Sequence, residues 1–216
     1  MASLRITPPR SLLCLGAHAD DIEIGCGATL LGWLESVPQL EVTWVVFSAH
    51  GVRRDEAAAS AAAYLSDHPS SRIHILDFPD AYFPAHWAAI KQMFGQLAHE
   101  IHPDLVFTHR LEDRHQDHRV VAELTWNAFR SSTILEYEIP KYEGDLGQPN
   151  LYQPVQTQHA ERKLDLLLQC FPTQAEKDWF DRDTFAGLMR LRGLESRSPD
   201  RLAEAFHARK LTMAIA

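Results

Sequence analysis

Strand-like apolar runs alternate with amphipathic segments along most of this chain, and this alternation constrains the fold more than any other feature. Five runs are predicted as strands: SLLCLGA, EVTWVVFS, RIHILDF, DLVFTH and TILEYEI. The segments between them are predicted as helices: IGCGATLLGWLES, RDEAAASAAAYLSD, AHWAAIKQMFGQLAHEI and DHRVVAELTWNAF. Strands that alternate with helices predict an α/β domain, in which a mostly parallel sheet carries helices on both faces.

The last third of the chain is less regular. HAERKLDLLLQCF is amphipathic, and Thr173 and Glu176 have the spacing of a capping box, which predicts a helix start there. The propensities of RLAEAFHAR favour a helix, with an edge strand as the alternative. Because 216 residues suit one hydrophobic core, we expect a single domain over 1–216.

Composition narrows the class of protein. The formal net charge of −8 disfavours nucleic acid as a partner, since phosphate binding usually shows as a basic excess. Three cysteines without a C-x-x-C pair disfavour a disulfide scaffold and fit a reducing, cytoplasmic location. No apolar run approaches the roughly 20 residues of a membrane span, so none is expected.

Two acidic, histidine-containing loops follow predicted strands. His18, Asp20 and Asp21 come after the first strand, and EDRHQDH, residues 112–118, comes after the fourth. Ligands of open parallel sheets sit beyond the carboxyl ends of the strands. A catalytic zinc site typically has three His or carboxylate ligands and one open position, which the two loops could supply together. Each loop alone is also explained as a polar turn with an Asp cap on the next helix.

Gly25 and Gly27 raise the alternative of a phosphate-binding loop. However, the third glycine of the dinucleotide pattern would fall at Leu30, and the preceding acidic loop would repel a pyrophosphate. We therefore interpret the glycines as room for close helix–loop packing. A non-catalytic nucleotide-binding module remains the alternative to an enzyme.

Several motifs resemble one known family. AHADDIEIGCGAT resembles the A-H-P-D-D-x-x-x-G-x-G-[GA]-T signature of the PIG-L/LmbE family of zinc-dependent de-N-acetylases, and HQDHRVV resembles its H-x-D-H motif. RRDEAAASAAAYL, LDFPDAYF, RGLES and LAEAF resemble weaker family elements in the same order. Ala19 replaces the usual Pro and Ala81 the usual Gly, but neither change removes a functional group.

The resemblance implies a Rossmann-like, LmbE-like fold and a role for each motif residue. The implied zinc ligands are His18, Asp21 and His118. Asp20 would be the general base, His115 a positively charged group that stabilises the oxyanion, and Asp117 the carboxylate that orients His115. This chemistry is coherent in itself, because zinc acidifies water and polarises an amide carbonyl.

The implied reaction is metal-dependent removal of an N-acetyl group from an N-acetylglucosamine-type amino sugar or glycoconjugate, which releases acetate and a free amine. The same centre acting on another amide or ester, such as a secondary metabolite, is the nearest alternative. Fe²⁺ or Mn²⁺ would accept the ligands proposed for Zn²⁺. The resemblance also leaves a homo-oligomer open.

Further residues are candidates for contacts with the small-molecule substrate. These are Arg53, Asp80, Glu138 and Lys141, each of which lies at or shortly after the end of a predicted strand. Arg192 could serve the site or pair with a buried carboxylate. Trp44 and Trp126 are interpreted as core residues, whereas Trp87 and Trp179 stay open as sugar platforms. His50 and His109 end strands and are weaker candidates.

Overall fold

A seven-stranded sheet forms the centre of the computed structural model, which describes residues 7–212; the outermost ends of the predicted domain lie outside the described residues. Over that range the strands are β1 Ser11–His18, β2 Glu41–Ser48, β3 Arg72–Ile75, β4 Leu105–Thr108, β5 Thr133–Tyr137, β6 Leu151–Pro154 and β7 Ala203–His207. The helices are α1 Asp21–Ser36, α2 Val52–Leu65, α3 Trp87–Glu100, α4 Gln116–Ala128, α5 Thr157–Cys170 and α6 Arg182–Ser196. The five predicted strands and the helices between them are thereby confirmed.

The strand order is β3-β2-β1-β4-β5-β7-β6. Strands β1 to β5 all run parallel to one another, and β7 is antiparallel to both of its neighbours, β5 and β6. Alternate side chains of β1 enter different cores, with Leu12 packing in the core under α1, α2, α5 and α6 and Leu13 in the core under α3 and α4. The sheet is therefore mostly parallel with helices on both faces, as expected.

Helix α1 is interrupted at Cys26, where φ is −145° and the backbone leaves the helical region. The buried carboxylate of Glu204 accepts hydrogen bonds at 3.0 and 2.7 Å from two N–H groups just after the break. Lys163 donates to the carbonyl of Ile24 before the break at 2.7 Å and to Glu204 at 2.6 Å. An ion pair from α5 and β7 thus satisfies backbone groups that the broken helix leaves without partners.

The two glycines of α1 lie against aromatic side chains. A Cβ on Gly25 would overlap the ring of Tyr137, and one on Gly27 would overlap the hydroxyl of Tyr64. The glycines therefore allow close packing, as interpreted from the sequence. They no longer support a phosphate-binding loop, which was the feature behind the nucleotide-binding alternative.

The C-terminal third corrects two expectations. Thr173 does not start an α-helix: only one 3-10 turn, Pro172–Gln174, forms there, because the Thr173 hydroxyl donates to Glu56 instead of capping. The segment 203–207 is not helical but an interior strand, since pairing in the sheet overrides its propensity. The sequence did not indicate β6 or α6. Within residues 7–212, no helix is long and apolar enough to cross a membrane.

Candidate metal and catalytic site

The candidate site lies at the carboxyl edge of the sheet, where two strand-to-helix connections meet. His18 is the last residue of β1, and Asp21 is the first residue of α1. His118 lies in the first turn of α4, which follows β4. Because β1 and β4 are adjacent and parallel, their carboxyl ends bring residues 100 positions apart into contact.

The three proposed ligands present their donor atoms to one another. His18 Nδ1 lies 3.1 Å from His118 Nε2. Asp21 Oδ2 lies 3.4 Å from His18 Nδ1, and Asp21 Oδ1 lies 3.6 Å from His118 Nε2. Bonds of about 2.0–2.2 Å to a tetrahedral zinc place neighbouring donor atoms roughly 3.3 Å apart. The residues present therefore fit a small divalent cation.

In both proposed histidine ligands, the ring nitrogen that points away from the proposed metal position lies close to a carboxylate. His118 Nδ1 lies 3.0 Å from Asp113, and His18 Nε2 lies 3.3 Å from Asp117. A histidine that binds a metal usually donates its other N–H to such a group, which fixes the ring orientation. Sequence reasoning missed Asp113, which lies inside EDRHQDH five residues before His118. Burial, with the nearby His109, lowers the pKa of His118 to about 3, so its imidazole is neutral and suited to a metal.

Asp20 is buried beside the cleft with its two oxygens in different surroundings. Oδ1 accepts a hydrogen bond from Arg53 Nη2 at 3.0 Å. Oδ2 is buried and has no hydrogen-bond partner among the described residues. Burial raises the pKa of Asp20, while the guanidinium of Arg53 opposes that rise. The free oxygen has the character that a general base needs.

The predicted pairing of His115 with the Asp117 carboxylate is wrong. That carboxylate accepts from the backbone N–H groups of Ala81 at 2.7 Å and Phe83 at 3.1 Å, and it contacts His18. His115 instead caps α4, and its Nδ1 accepts from the Asp117 N–H at 3.3 Å. Burial and the nearby His18 lower the pKa of His115, which disagrees with the expected positive charge.

Two of the candidate substrate contacts are engaged inside the protein. Glu138 is buried in a two-bond ion pair with Arg192, at 2.6 and 2.8 Å, and does not line the cleft. The expectation that Glu138 faces substrate is therefore wrong, and the alternative of a buried partner for Arg192 is right. Lys141 lines the cleft, but its ammonium donates to Asp113 at 2.9 Å and Asp145 at 2.7 Å.

The other two candidate contacts remain at the cleft. Arg53 lines it while binding Asp20 and, at 2.8 Å, Glu56. The Asp80 side chain is 70% exposed, lies 3.1 Å from His18 Nε2 and also lines the cleft. Their surroundings leave Asp80 the more available of the two to a ligand.

The two weaker histidine candidates differ in position. His109 is fully buried behind the proposed ligands, with Nε2 3.1 Å from Asp21 and accepting from the Ala17 N–H at 2.9 Å. His50 is exposed and lines the cleft. Only His50 can therefore reach a substrate without a change in structure.

The cleft in front of these residues has a volume of about 330 Å³. Its lining includes His18, Asp20, Asp21, His115 and His118. It is also lined by Ile139, Lys141, Tyr142 and Glu143 from the segment after β5, and by Gln174, Lys177 and Trp179 from the segment between α5 and α6. The volume is within the range of about 300–1,000 Å³ that small-molecule sites occupy.

A family model, "PIG-L: GlcNAc-PI de-N-acetylase", matches residues 13–129, more than half of the chain. The chain belongs to the PIG-L family. A relative from Escherichia coli (strain K12), the uncharacterized deacetylase YaiS, is 31% identical over 143 residues, and the match covers 61% of this chain and 75% of that protein. Membership places the chain among de-N-acetylases.

Solved structures share the PIG-L fold. N,N'-diacetylchitobiose deacetylase from Pyrococcus horikoshii aligns with a TM-score of 0.69 at 22% identity, over 92% of this chain and 83% of that one. GalB, the 4-carboxy-2-hydroxymuconate hydratase of Pseudomonas putida KT2440, aligns with a TM-score of 0.74 at 17% identity, over 95% and 99%. Since one of these is a deacetylase and the other a hydratase, the fold alone does not select the reaction.

Proposed function

We propose that this PIG-L protein is a metal-dependent hydrolase that removes the N-acetyl group of an N-acetylglucosamine-type amino sugar or glycoconjugate. Water cleaves the amide C–N bond, and the products are acetate and a free amine. The observation that carries the proposal is the arrangement of His18, Asp21 and His118. The two imidazole nitrogens lie 3.1 Å apart, and each lies within 3.6 Å of one oxygen of the Asp21 carboxylate.

Zn²⁺ is the proposed ion, held by these three side chains. When bound, it would polarise the acetamide carbonyl and acidify a water molecule. The protein groups around it carry the rest of the chemistry. Asp113 and Asp117 fix the orientation of His118 and His18 through the far ring nitrogens.

Asp20 and His115 are the proposed proton-transfer and oxyanion groups. Asp20 Oδ2 accepts the proton of the attacking water and later gives it to the departing nitrogen. Nδ1 of His115 accepts a hydrogen bond from the backbone N–H of Asp117. Nδ1 is therefore unprotonated, and the neutral ring carries its proton on Nε2. We propose that Nε2–H donates to the developing oxyanion, which replaces the charged imidazolium expected from the sequence.

The experiment measures acetate release over a panel of N-acetylated sugars, with metal content determined in the same samples. Asp20→Asn should lose at least about 100-fold in kcat, the usual range for a general base, while it retains bound zinc. Asp67→Asn, on the exposed surface after α2, is the matched control and should keep full activity. Full activity in Asp20→Asn would show that the assigned base is wrong.

The panel also tests the reaction class. Release of acetate from a non-sugar amide or ester, with none from any sugar, would favour the alternative substrate class at the same centre. Nucleotide binding that survives chelation, with no hydrolysis, would favour the non-catalytic module.

A further inference from the structure

The carboxylate of Asp20 has a single anchor. Over residues 7–212, its one hydrogen bond comes from Arg53 Nη2, which donates to Oδ1 at 3.0 Å. Asp20 precedes α1, yet its side chain makes no capping bond to that helix. The other oxygen, Oδ2, is buried and has no partner in the described part of the chain. The direction in which Oδ2 points is therefore fixed by what Arg53 does to Oδ1.

Arg53 is itself held from several sides. Its Nη1 donates to Glu56 Oε2 at 2.8 Å and lies 3.5 Å from the hydroxyl oxygen of Thr173. The central carbon of the guanidinium lies 5.4 Å from the centre of the Phe171 ring, within the range of a cation–π contact. A planar guanidinium with partners in several directions keeps one orientation. Arg53 therefore presents Nη2 to Asp20 in a fixed position.

Glu56 anchors this arrangement outside the cleft. It is buried, and its two oxygens accept the N–H of Thr173 at 2.8 Å and the hydroxyl of Thr173 at 2.7 Å, in addition to the bond from Arg53. Glu56 and Thr173 do not line the cleft. Two residues that cannot touch a substrate in the cleft thus hold the arginine that holds Asp20.

The engagement of Arg53 disfavours direct contact with a substrate. Both terminal nitrogens already bind carboxylates, one on Asp20 and one on Glu56. A substrate oxygen would have to compete with these two anions, and charge-assisted hydrogen bonds are the strong ones. The same bonds are what a residue needs in order to orient another side chain.

We infer that Arg53 is a positioning residue for the general base, and that it fixes Oδ1 of Asp20 so that Oδ2 faces the attacking water. This inference rests on the proposed function, in which Asp20 is the base. The water proton passes to Oδ2, and Arg53 keeps all of its own protons. Without Arg53 the carboxylate can rotate, and a misplacement of about 1 Å can lower the rate about 100-fold.

The test measures kcat and KM separately, with the best N-acetylated sugar of the panel and with p-nitrophenyl acetate, which has no sugar. Arg53→Met should lower kcat about 10- to 100-fold for both substrates and change KM by less than about twofold. Arg53→Lys keeps the charge and one donor, so it should restore part of the loss. Arg54→Met is the matched control, since Arg54 is exposed on the same turn of α2 and does not line the cleft. It should keep full activity.

A double substitution separates positioning from substrate binding. In Asp20→Asn no base is left to orient, so adding Arg53→Met should lower kcat by less than about twofold more. Glu56→Gln weakens the hold on Arg53 and should lower kcat several-fold without raising KM. Zinc content and circular dichroism of each variant report whether the metal site and the fold are intact. If Arg53→Met does not fold, Arg53→Lys and Glu56→Gln carry the same comparison.

Each outcome bears on a different claim. A rise in KM with unchanged kcat in Arg53→Met, or losses that add in the double variant, would overturn the positioning role and return Arg53 to the substrate. Full activity in Asp20→Asn would refute the assigned base and this inference with it. If p-nitrophenyl acetate shows the expected coupling while no sugar releases acetate, the proposed reaction is refuted and the positioning role stands.

Discussion

Replacing Asp113 by Ala should weaken zinc binding by about 10- to 100-fold. The Asp113 carboxyl group is only 5% exposed, and Oδ2 lies 3.0 Å from His118 Nδ1, so water cannot readily replace it. A hydrogen bond to a charged group contributes about 1.5–3 kcal/mol, and each 1.4 kcal/mol changes an equilibrium constant about tenfold. The loss therefore amounts to roughly one to two powers of ten, in line with other carboxylates behind metal-binding histidines.

Competition with a chromogenic zinc chelator measures this affinity directly. Asp113→Asn keeps an acceptor near His118 and should give an intermediate loss. Asp145→Ala is the control, because it also removes a carboxylate from Lys141 but touches none of the proposed ligands. If folded Asp113→Ala held zinc as tightly as the unsubstituted protein, the proposed support of His118 by Asp113 would be wrong.

Three further predictions concern stability. Ala81 has a φ of +67°, a left-handed conformation that glycine adopts without strain. Ala81→Gly should therefore raise the free energy of unfolding, measured by urea titration, by about 1 kcal/mol. Ala58→Gly, on the exposed face of α2, is the control and should lower this free energy by about 1 kcal/mol. Glu204→Gln leaves the buried ammonium of Lys163 without its charge partner and should lower the same quantity by about 3 kcal/mol; an unchanged midpoint would contradict the role given to this ion pair. Burial and the nearby Arg110 lower the pKa of His207 to about 4. In the unfolded chain the imidazole of His207 takes up its proton near pH 6.5, so the free energy of unfolding falls as the pH drops from 6.5 towards 4. Between pH 7 and pH 5 the unsubstituted protein should therefore lose about 2 kcal/mol more of this free energy than His207→Gln does.

The sequence predicted the part of the fold that repeats one local pattern. Strands β1, β2, β4 and β5 are mostly apolar and are buried along nearly their whole length, as expected for strands covered on both faces of the sheet. The same reasoning failed where tertiary contacts override local preference. Thr173 binds Glu56 rather than capping a helix, and the segment 203–207 takes its conformation from β5 and β6 on either side.

In the candidate site, too, only part of the arrangement could be predicted from the sequence. The proximity of the two histidine-containing loops could be predicted, because neighbouring parallel strands end at the same edge of the sheet. The ion-pair partners of individual charged side chains could not be predicted from the order of the strands. Glu138 belongs to Arg192 and Lys141 to Asp113 and Asp145, and these pairings depend on the rotamers and packing of elements far apart in the chain.

The break in α1 implies an order of assembly for the site. All three proposed ligands have been synthesised by residue 118, yet the backbone just after the break is held by Glu204, 176 residues beyond Ala28. Contacts so distant in sequence are slow to form, because the entropy lost on closing the intervening chain into a loop opposes them. A chain ending at residue 129, the limit of the family match, would contain every proposed ligand but neither Lys163 nor Glu204 to hold the helix that presents Asp21. The metal centre is thus encoded early in the sequence and completed only when the C-terminal strand enters the sheet.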